Sequence, residues 1–469
     1  MPVTGVQTCA LPIFIALRVN GRERVLEVDA AEPLIETLRE RCRLTGTHQG
    51  CDTAQCGACT VVVNGAPIKS CNRLSEQSDG CDVLTIEGLG GEGDQLHLIQ
   101  QAFSRHHALQ CGFCTPGFVM RTLAMVDEAV EPEPVAVRQA LSGNLCRCTG
   151  YEGIVKAICD VLPDLRRARA ADRKVDRISS DRPGRGRLSS PCVVDADRAP
   201  APPLSGPIHC RPGSIASAIA SLRADPEARP LAGGQSLLPS MRLGLAAPTH
   251  LIDLQDIDEL RALRAGADHL LIGAMVPHAR VAADRGVIEG WPMLAALAGG
   301  IADQQVRSVG TLGGSLANND PAACWPAGVL ASGATVVTTS ARIPADEFFK
   351  GIFATALAAD ELILGVEFPR PIAGRYLKFE QPASRFALVG VAVVRFPGEV
   401  RVALTGLGAG VCRWPEAEAR LAARFGRAAL EGLSLDPAGA YGDLHAPAEY
   451  RAHLAAVLLR RAVAELSPD

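Results

Sequence analysis

The segment that decides the fold is Gly50–Thr60, which reads GCDTAQCGACT. Its three cysteines, Cys51, Cys56 and Cys59, follow a C-x4-C-x2-C spacing, and Cys71 comes after eleven intervening residues. This is the plant-type spacing of four thiolates around a [2Fe–2S] cluster. The alternatives are a zinc site or buried thiols, but zinc sites usually show paired spacings rather than this triple. The spacing therefore predicts a loop that wraps a [2Fe–2S] cluster.

The sequence around this loop predicts a small mixed sheet crossed by one helix. Phe14–Val28 alternates as a hairpin about an Asn-Gly turn, and Thr60–Val63 and Val83–Ile86 have strand character. Pro33–Arg41 has helical periodicity. We therefore expect a β-grasp ferredoxin domain over residues 14–90.

A second group of cysteines lies where the periodicity becomes helical. Four helices are predicted at Leu96–His106, Pro116–Asp127, Pro134–Leu141 and Gly153–Leu162, which indicates an all-α domain over residues 91–164. It carries two cysteine pairs, Cys111 with Cys114 and Cys146 with Cys148. C-x-C is too short for most zinc ribbons, whereas C-x2-C alone is also compatible with a redox disulfide. The pairs indicate metal or redox chemistry without deciding between them.

The rest of the chain divides into a linker and a long α/β region. Residues 165–206 are rich in Arg, Asp, Ser and Pro with little periodicity, which predicts a linker. An α+β domain is expected over 207–371 and a smaller one over 372–469. Two Gly-rich loops, AGGQS at Ala232–Ser236 and TLGGS at Thr311–Ser315, suit close approach of backbone amides to a diphosphate, although a lone Gly-Gly pair is usually only a turn.

Composition limits the classes of function. The chain has 469 residues, 48% of them hydrophobic, and a net charge of −4, which does not suggest a nucleic-acid partner. No run of about 20 apolar residues indicates a transmembrane helix. Sixteen cysteines without an export signal favour metal binding in the cytoplasm over disulfides. Residues 1–13 contain VTGVQTCALPI, which resembles a translated sequencing-library adapter, and we exclude them as an artefact.

The cysteine motifs together carry a family resemblance. GCDTAQCGACTV, LQCGFCTPG and GNLCRCTGYEGIVKA, all within Phe14–Leu162, resemble the iron–sulfur subunit of the molybdenum hydroxylases, the xanthine oxidase family, and the aerobic carbon monoxide dehydrogenase type in particular. The resemblance implies that Cys111, Cys114, Cys146 and Cys148 bind a second [2Fe–2S] cluster. It also implies that Gln110 and Cys148 approach the molybdopterin of a partner.

The second half resembles the FAD-binding subunit of the same enzymes. The resemblance rests on LAGGQSLLPSMRLG, IGAMVPHARV, IADQQVRSVGTLGGSLANNDPAACWPA, FEQPASRFALVGVAV and HAPAEYRAHLAAVLLRRA. It implies that FAD is bound by residues of the two Gly-rich loops and the segment after the second one: Ala232, Gly233, Gly234, Gln235, Ser236, Thr311, Gly313, Gly314, Ser315, Asn318 and Asp320. The family often has Asp at the position of Cys324, and a thiol is a weaker partner for a flavin hydroxyl. Cys324 either loosens FAD binding or simply packs.

The resemblance implies an oxidoreductase subunit for electron transfer. Electrons would pass from a separate large molybdopterin-binding subunit through two [2Fe–2S] clusters to FAD, and then to NAD, a quinone or oxygen. No residue has the character of a catalytic acid, base or nucleophile. A dimer of heterodimers is the family expectation. The alternatives are the small subunit of an NAD-linked xanthine dehydrogenase and a stand-alone iron–sulfur flavoprotein electron carrier.

Overall fold

The computed structural model describes residues 13–90, 95–176, 206–382 and 384–467. The chain forms two compact units: Met1–His209 with Leu238–Leu251, and Cys210–Leu237 with Ile252–Asp469. The predicted adapter segment, residues 1–13, lies outside the described residues except for Ile13, which pairs with Val28. Among the described residues, no helix has the length and apolarity needed to cross a bilayer.

The first domain of the first unit is a five-stranded mixed sheet. Its order is β2-β1-β5-β3-β4, and β1 and β5 are its parallel pair. A short α-helix continues as a π-helical turn, Thr37–Arg41, so the predicted helix is present but wider than an α-helix at its end. The elements are β1 (Ile13–Val19), β2 (Arg22–Val28), α1 (Leu34–Glu36), β3 (Thr60–Val63), β4 (Ala66–Lys69) and β5 (Asp82–Leu84).

Four helices around an apolar core follow this sheet. They are α2 (Leu98–Arg105), α3 (Thr115–Asp127), α4 (Pro134–Ala140) and α5 (Glu152–Asp176). The predicted end of the last helix at Leu162 is wrong, because α5 continues through Pro163 into the predicted linker, 165–206. Arg166 donates to the carbonyl of Val130, and Arg169 donates to Asp127 at 2.8 Å. These contacts with the end of α3 support the extra turns. The later part of the predicted linker, 177–205, lies outside the described residues.

Three short strands follow, in a sheet of order β6-β8-β7. The elements of this part are β6 (Ile208–Cys210), α6 (Ile215–Ala224), β7 (Arg229–Leu231), α7 (Leu237–Arg242) and β8 (His250–Asp253). The first Gly-rich loop connects β7 to α7.

The larger part of the second unit contains an antiparallel sheet of order β12-β11-β15-β10-β9. Its core includes the buried Trp291 and Trp325. The strands are β9 (Leu263–Ala265), β10 (His269–Gly273), β11 (Thr335–Thr338), β12 (Arg342–Pro344), β13 (Phe349–Gly351), β14 (Ala354–Thr355) and β15 (Ile363–Pro369). The helices are α8 (His278–Ala283), α9 (Arg285–Gly290), α10 (Pro292–Gly299), α11 (Gln304–Arg307), α12 (Leu312–Asn318), α13 (Cys324–Ala331) and α14 (Ala345–Phe348).

The chain ends in an antiparallel sheet of order β16-β17-β18-β19 with two helices. Eight consecutive buried residues at the start of β17 show that both of its faces are covered. The elements are β16 (Ala373–Glu380), β17 (Ala387–Phe396), β18 (Glu399–Thr405), β19 (Cys412–Arg413), α15 (Pro415–Ala423) and α16 (Ala448–Leu466). The predicted α+β multidomain fold is confirmed.

Candidate redox centres and flavin site

The first cysteine group is built by a loop and a single helical turn. Cys51, Cys56 and Cys59 lie on the loop that leads into β3, and Cys71 lies in a 3-10 turn that follows β4. Cys59 and Cys71 are buried, whereas Cys51 and Cys56 are partly exposed. Gly57 has φ +68°, a conformation that costs other residues energy, so the loop reverses tightly between two of the cysteines.

The thiols of this group approach each other in pairs. The side chains of Cys51 and Cys56 are hydrogen-bonded to each other, and so are those of Cys59 and Cys71, while all four thiols are free of disulfides. Over the described residues no three metal-ligating side chains converge on one ion position. A pairwise arrangement fits a [2Fe–2S] cluster, because its four thiolates are shared between two irons.

Within each pair the shared hydrogen bond favours one thiolate and one thiol: it lowers the pKa of Cys51 and Cys71 and raises the pKa of Cys56 and Cys59. The bond from Cys56 lowers the pKa of Cys51 to about 4, and backbone N–H groups act in the same direction against burial. One of them is the N–H of Cys56, 3.4 Å from the Cys51 sulfur. The bond from Cys59 lowers the pKa of Cys71, and the charge of Arg242 assists. Thiolates are the form that binds iron, and Cys51 and Cys71 are the two sulfurs of this group that the loop already favours in that form.

The second cysteine group lies at the ends of α3 and α5. Cys111 and Cys148 are exposed with their sulfurs 3.5 Å apart, whereas Cys146 is buried. Thr149 donates to the Cys146 sulfur from its hydroxyl at 3.1 Å and from its backbone at 3.4 Å. Burial raises the pKa of Cys114 to about 12, and its bond with Cys146 adds to the rise. These four thiols are again paired, Cys111 with Cys148 and Cys114 with Cys146, as two irons require.

The two groups are joined by one backbone hydrogen bond. The N–H of Leu145, the residue before Cys146, donates to the carbonyl of Cys56 at 2.8 Å. Asn144 donates from its side chain to the carbonyl of Gly57 at 3.0 Å. Cys56 of the first group is therefore connected to Cys146 of the second by one hydrogen bond and one intervening residue, Leu145.

The second unit brings the two Gly-rich loops into contact. A Cβ placed on Gly233 would lie 2.2 Å from the carbonyl of Val309, two residues before Thr311, and one on Gly314 would lie 3.5 Å from the Cβ of Ala232. Thr311 caps α12 by accepting the N–H of Gly314 at 3.2 Å. Such Gly-lined backbone fits the close approach of a diphosphate.

The other predicted flavin residues surround these loops. Gly234 is buried with φ +69°, whereas Ala232 and Gln235 are partly exposed and Ser236 is exposed. In the second loop Gly313 is buried and Ser315 is partly exposed, and Asn318, which follows this loop, is also partly exposed. Gln110, predicted to approach a partner's pterin, is exposed beside Cys111.

Asp320 lies in the wall of a cavity of about 390 Å³. It accepts the N–H of Ala322 at 2.8 Å, and burial raises the pKa of its carboxyl. Phe353, Phe386 and Tyr441 also line the cavity and are each about half exposed, which suits a planar ring. Sequence reasoning did not select these aromatic residues, although FEQPASRFA, which contains Phe386, was part of the resemblance.

Cys324, the predicted departure from the family pattern, is buried at the start of α13. Burial raises the pKa of its thiol, while the charge of Lys378 opposes the rise. The thiol belongs to the apolar core of the larger part, so its packing role has direct support.

Comparison with known proteins finds separate matches for the cysteine-containing first part of the chain and for the part with the Gly-rich loops. Family models match residues 17–84 as a 2Fe-2S iron–sulfur cluster binding domain, 85–159 as a [2Fe-2S] binding domain, and 206–371 as the FAD binding domain in molybdopterin dehydrogenase. The chain therefore contains two [2Fe–2S] domains and one FAD domain.

Two curated relatives come from one enzyme of Paenarthrobacter nicotinovorans. The chain is 48% identical over 148 residues to the nicotine 6-hydroxylase small subunit, covering 32% of this chain and 88% of that subunit. It is 37% identical over 279 residues to the medium subunit, covering 55% of this chain and 96% of that subunit. In a solved carbon monoxide dehydrogenase from Hydrogenophaga pseudoflava, which lacks the Mo-pyranopterin moiety of its cofactor, one chain matches with 33% identity and a TM-score of 0.50, covering 55% of this chain and 96% of that one. The chain thus belongs to the molybdenum hydroxylase family and joins that family's iron–sulfur and FAD-binding subunits in one polypeptide.

Proposed function

We propose that the chain is the electron-transfer subunit of a molybdenum hydroxylase, accepting electrons from a separate molybdopterin-binding subunit and passing them through two [2Fe–2S] clusters to FAD. Cys51, Cys56, Cys59 and Cys71 would hold one cluster, termed here the inner cluster, and Cys111, Cys114, Cys146 and Cys148 the other, the outer cluster. The two Gly-rich loops and Asp320 would hold FAD. The bound groups supply the one-electron and two-electron chemistry.

The observation that carries this proposal is the asymmetry of the two cysteine groups. Cys59 and Cys71 are buried, whereas Cys111 and Cys148 reach the surface. Beside the exposed polar Gln110 and Arg147, three apolar side chains near these cysteines in sequence are also exposed: Leu109 at 43%, Phe113 at 47% and Leu145 at 61%. Exposed apolar side chains around a redox centre fit a surface that a partner protein covers.

The chain's own residues would set the direction of transfer. The outer cluster would face the partner, and the Leu145–Cys56 hydrogen bond would connect it to the inner cluster. Thr149 and the loop amides stabilise thiolates, and so they would tune both clusters. Transfer through such a connection needs no acid or base on this chain, which agrees with the absence of a predicted catalytic residue.

Several finer features belong to the same proposal. The electron acceptor would be NAD, a quinone or oxygen, the assembly a dimer of heterodimers, and the location the cytoplasm. The similar proteins are named for different substrates, nicotine and carbon monoxide. We therefore propose the class of enzyme for this chain, and the partner subunit would determine the substrate. A stand-alone electron carrier has less support, because it gives no reason for the apolar residues around Cys111.

Co-purification with the large subunit tests the proposal. We would co-express the chain with a large molybdopterin-binding subunit of the same organism and compare Phe113→Glu with Val25→Glu, since both residues are 47% exposed. We expect Phe113→Glu to lose the large subunit while keeping its iron, and Val25→Glu to retain the complex. Equal recovery of the complex in both variants, or recovery of an iron-free chain from the unmodified gene, would count against the proposal.

A further inference from the structure

Arg242 contacts the backbone of the loop that carries the first cysteine group. It is the last residue of α7 and lies within Leu238–Leu251, the part of the chain that belongs to the first compact unit. Its Nη1 donates to the carbonyl of Asp52 at 3.0 Å, and its Nη2 donates to the carbonyl of Cys71. It comes 190 residues after Asp52 in the sequence.

The two carbonyls belong to different halves of the cysteine group. Asp52 directly follows Cys51, which pairs with Cys56, whereas Cys71 pairs with Cys59. One guanidinium therefore bridges the backbone at both thiol pairs. The planar fork of arginine suits this double contact, which a lysine ammonium reproduces as charge but not as geometry.

Arg242 is also a permanent positive charge beside these thiolates. A [2Fe–2S] cluster gains one negative charge on reduction, and its potential depends on the charge and hydrogen bonding around it. A nearby cation stabilises the more negative state, and the effect is stronger away from bulk water. Cys71 is only 2% exposed, so solvent screens little of the interaction on that side.

We propose that Arg242 is a positioning residue that raises the reduction potential of the inner cluster by placing its charge against both thiol pairs. The inference rests on the proposed function, since it requires a cluster at Cys51, Cys56, Cys59 and Cys71. Its consequence is that the outer cluster gives up electrons to a more oxidising inner one.

A redox titration followed by electron paramagnetic resonance tests this role. The iron-loaded chain is poised at a series of potentials with dithionite and mediators, and the two cluster signals are followed separately, so the outer cluster serves as an internal reference. For Arg242→Gln we expect the reduced-to-oxidised ratio of the inner cluster to fall about tenfold at a fixed potential, or about 59 mV for a one-electron couple. The ratio for the outer cluster should stay unchanged.

A matched control and a conservative variant separate charge from packing. Arg39 also donates to two backbone carbonyls of this domain, those of Thr45 at 2.7 Å and Thr47 at 2.8 Å, but neither belongs to a cysteine or its neighbour. Arg39→Gln should leave both potentials in place. Arg242→Lys should keep most of the potential, because it keeps the charge, while broadening the signal of the inner cluster as the loop becomes less uniform.

Each remaining outcome has a distinct meaning. Two cluster signals with potentials unaltered in Arg242→Gln would overturn the role of Arg242 while leaving the proposed function intact. An unmodified chain without two [2Fe–2S] signals would overturn the proposed function itself. If Arg242→Gln loses its iron, the Arg242→Lys variant provides the test instead. An intact inner cluster in Arg242→Lys whose potential is lowered by about 59 mV, although the positive charge is kept, would overturn the role of charge.

Discussion

Cys148 and Cys81 show that individual cysteines of this chain differ in their predicted role in iron binding. Cys148 is exposed, pairs with Cys111 and has no predicted function other than iron binding and contact with a partner. Cys81, by contrast, lies outside both groups and is only partly exposed. The chain therefore offers two cysteines whose loss should have different consequences for iron.

We predict that Cys148→Ser removes the outer cluster and keeps the inner one. Four thiolates hold each [2Fe–2S] cluster, so the iron content should fall from about four to about two per chain. Iron and acid-labile sulfide analysis measures this, and Cys81→Ser should retain about four irons. A Cys148→Ser protein that still shows two separate cluster signals would contradict the ligand assignment.

At the level of elements, the contact between the cysteine loop and the helices depends on glycine. A Cβ on Gly57 would lie 2.0 Å from the carbonyl of Gly143, and one on Gly117 would lie 2.3 Å from the carbonyl of Gly57. The same loop carries the hydrogen bonds from Asn144 and Leu145. Sheet and helices can approach this closely only because these positions have no side chains.

Gly57→Ala should therefore separate these elements, and Gly65→Ala is its control. Both glycines have positive φ, +68° and +84°, but a Cβ on Gly65 would meet nothing within 4 Å. The control should lose about 1 kcal/mol of unfolding free energy from backbone strain alone. Gly57→Ala should lose several kcal/mol, because a backbone contact must also move. Thermal denaturation of the iron-loaded chain compares them, and equal losses would show that the contact does not matter.

His278 joins three elements of the second unit. It begins α8, its backbone N–H donates to Gly310 at 2.9 Å, and its ring accepts from the indole of Trp325 on α13 at 3.0 Å. Burial lowers the pKa of His278 from its usual 6.5 to about 3, with a smaller contribution from Arg307. The folded state therefore holds this ring neutral.

Acid should destabilise the second unit through His278. The unfolded state takes up the proton at higher pH than the folded state, so the stabilisation is complete above pH 6.5 and is lost as the pH falls towards 3. The loss is at most about 1.4 kcal/mol per pH unit. Calorimetry across this range should show a shallower slope for His278→Gln than for the unmodified chain.

Sequence was informative for elements whose contacts are local. The hairpin, β3 and the four helix starts follow from turn residues and periodicity, and the spacing of Cys51, Cys56, Cys59 and Cys71 predicts the inner-cluster ligands. It failed for α5, because the Arg- and Asp-rich composition after Leu162 predicted a linker, whereas side chains such as Arg169 hold the continuing helix against α3. Arg242 was not predicted as part of the cysteine loop, because its partners are 171 and 190 residues away and nothing in the local pattern reports such a contact.

The whole molecule combines two kinds of electron storage in one chain. Its first unit carries both cysteine groups, and its second unit carries the two Gly-rich loops and the cavity beside Asp320. Each cluster takes one electron and the flavin takes two. The joined polypeptide fixes the ratio of clusters to flavin at two to one, which separate small and medium subunits cannot guarantee.

We therefore predict that the loaded chain takes up about four electrons from dithionite. Removal of FAD should reduce the uptake to about two, with the cluster signals preserved. Anaerobic titration followed by absorbance measures both values. An uptake that does not change when FAD is removed would show that the second unit does not hold a redox-active flavin.

The exposure of Cys111 and Cys148 also governs how the chain survives in air. Oxidants reach accessible thiolates first, and the thiols at Cys59 and Cys71 are shielded by the protein itself. In a chain without its partner, the outer cluster would thus be lost to oxidation before the inner one. Binding of the partner would shield the outer cluster from oxidants. The half-life of the outer cluster under oxygen would then report how much of the chain has been assembled.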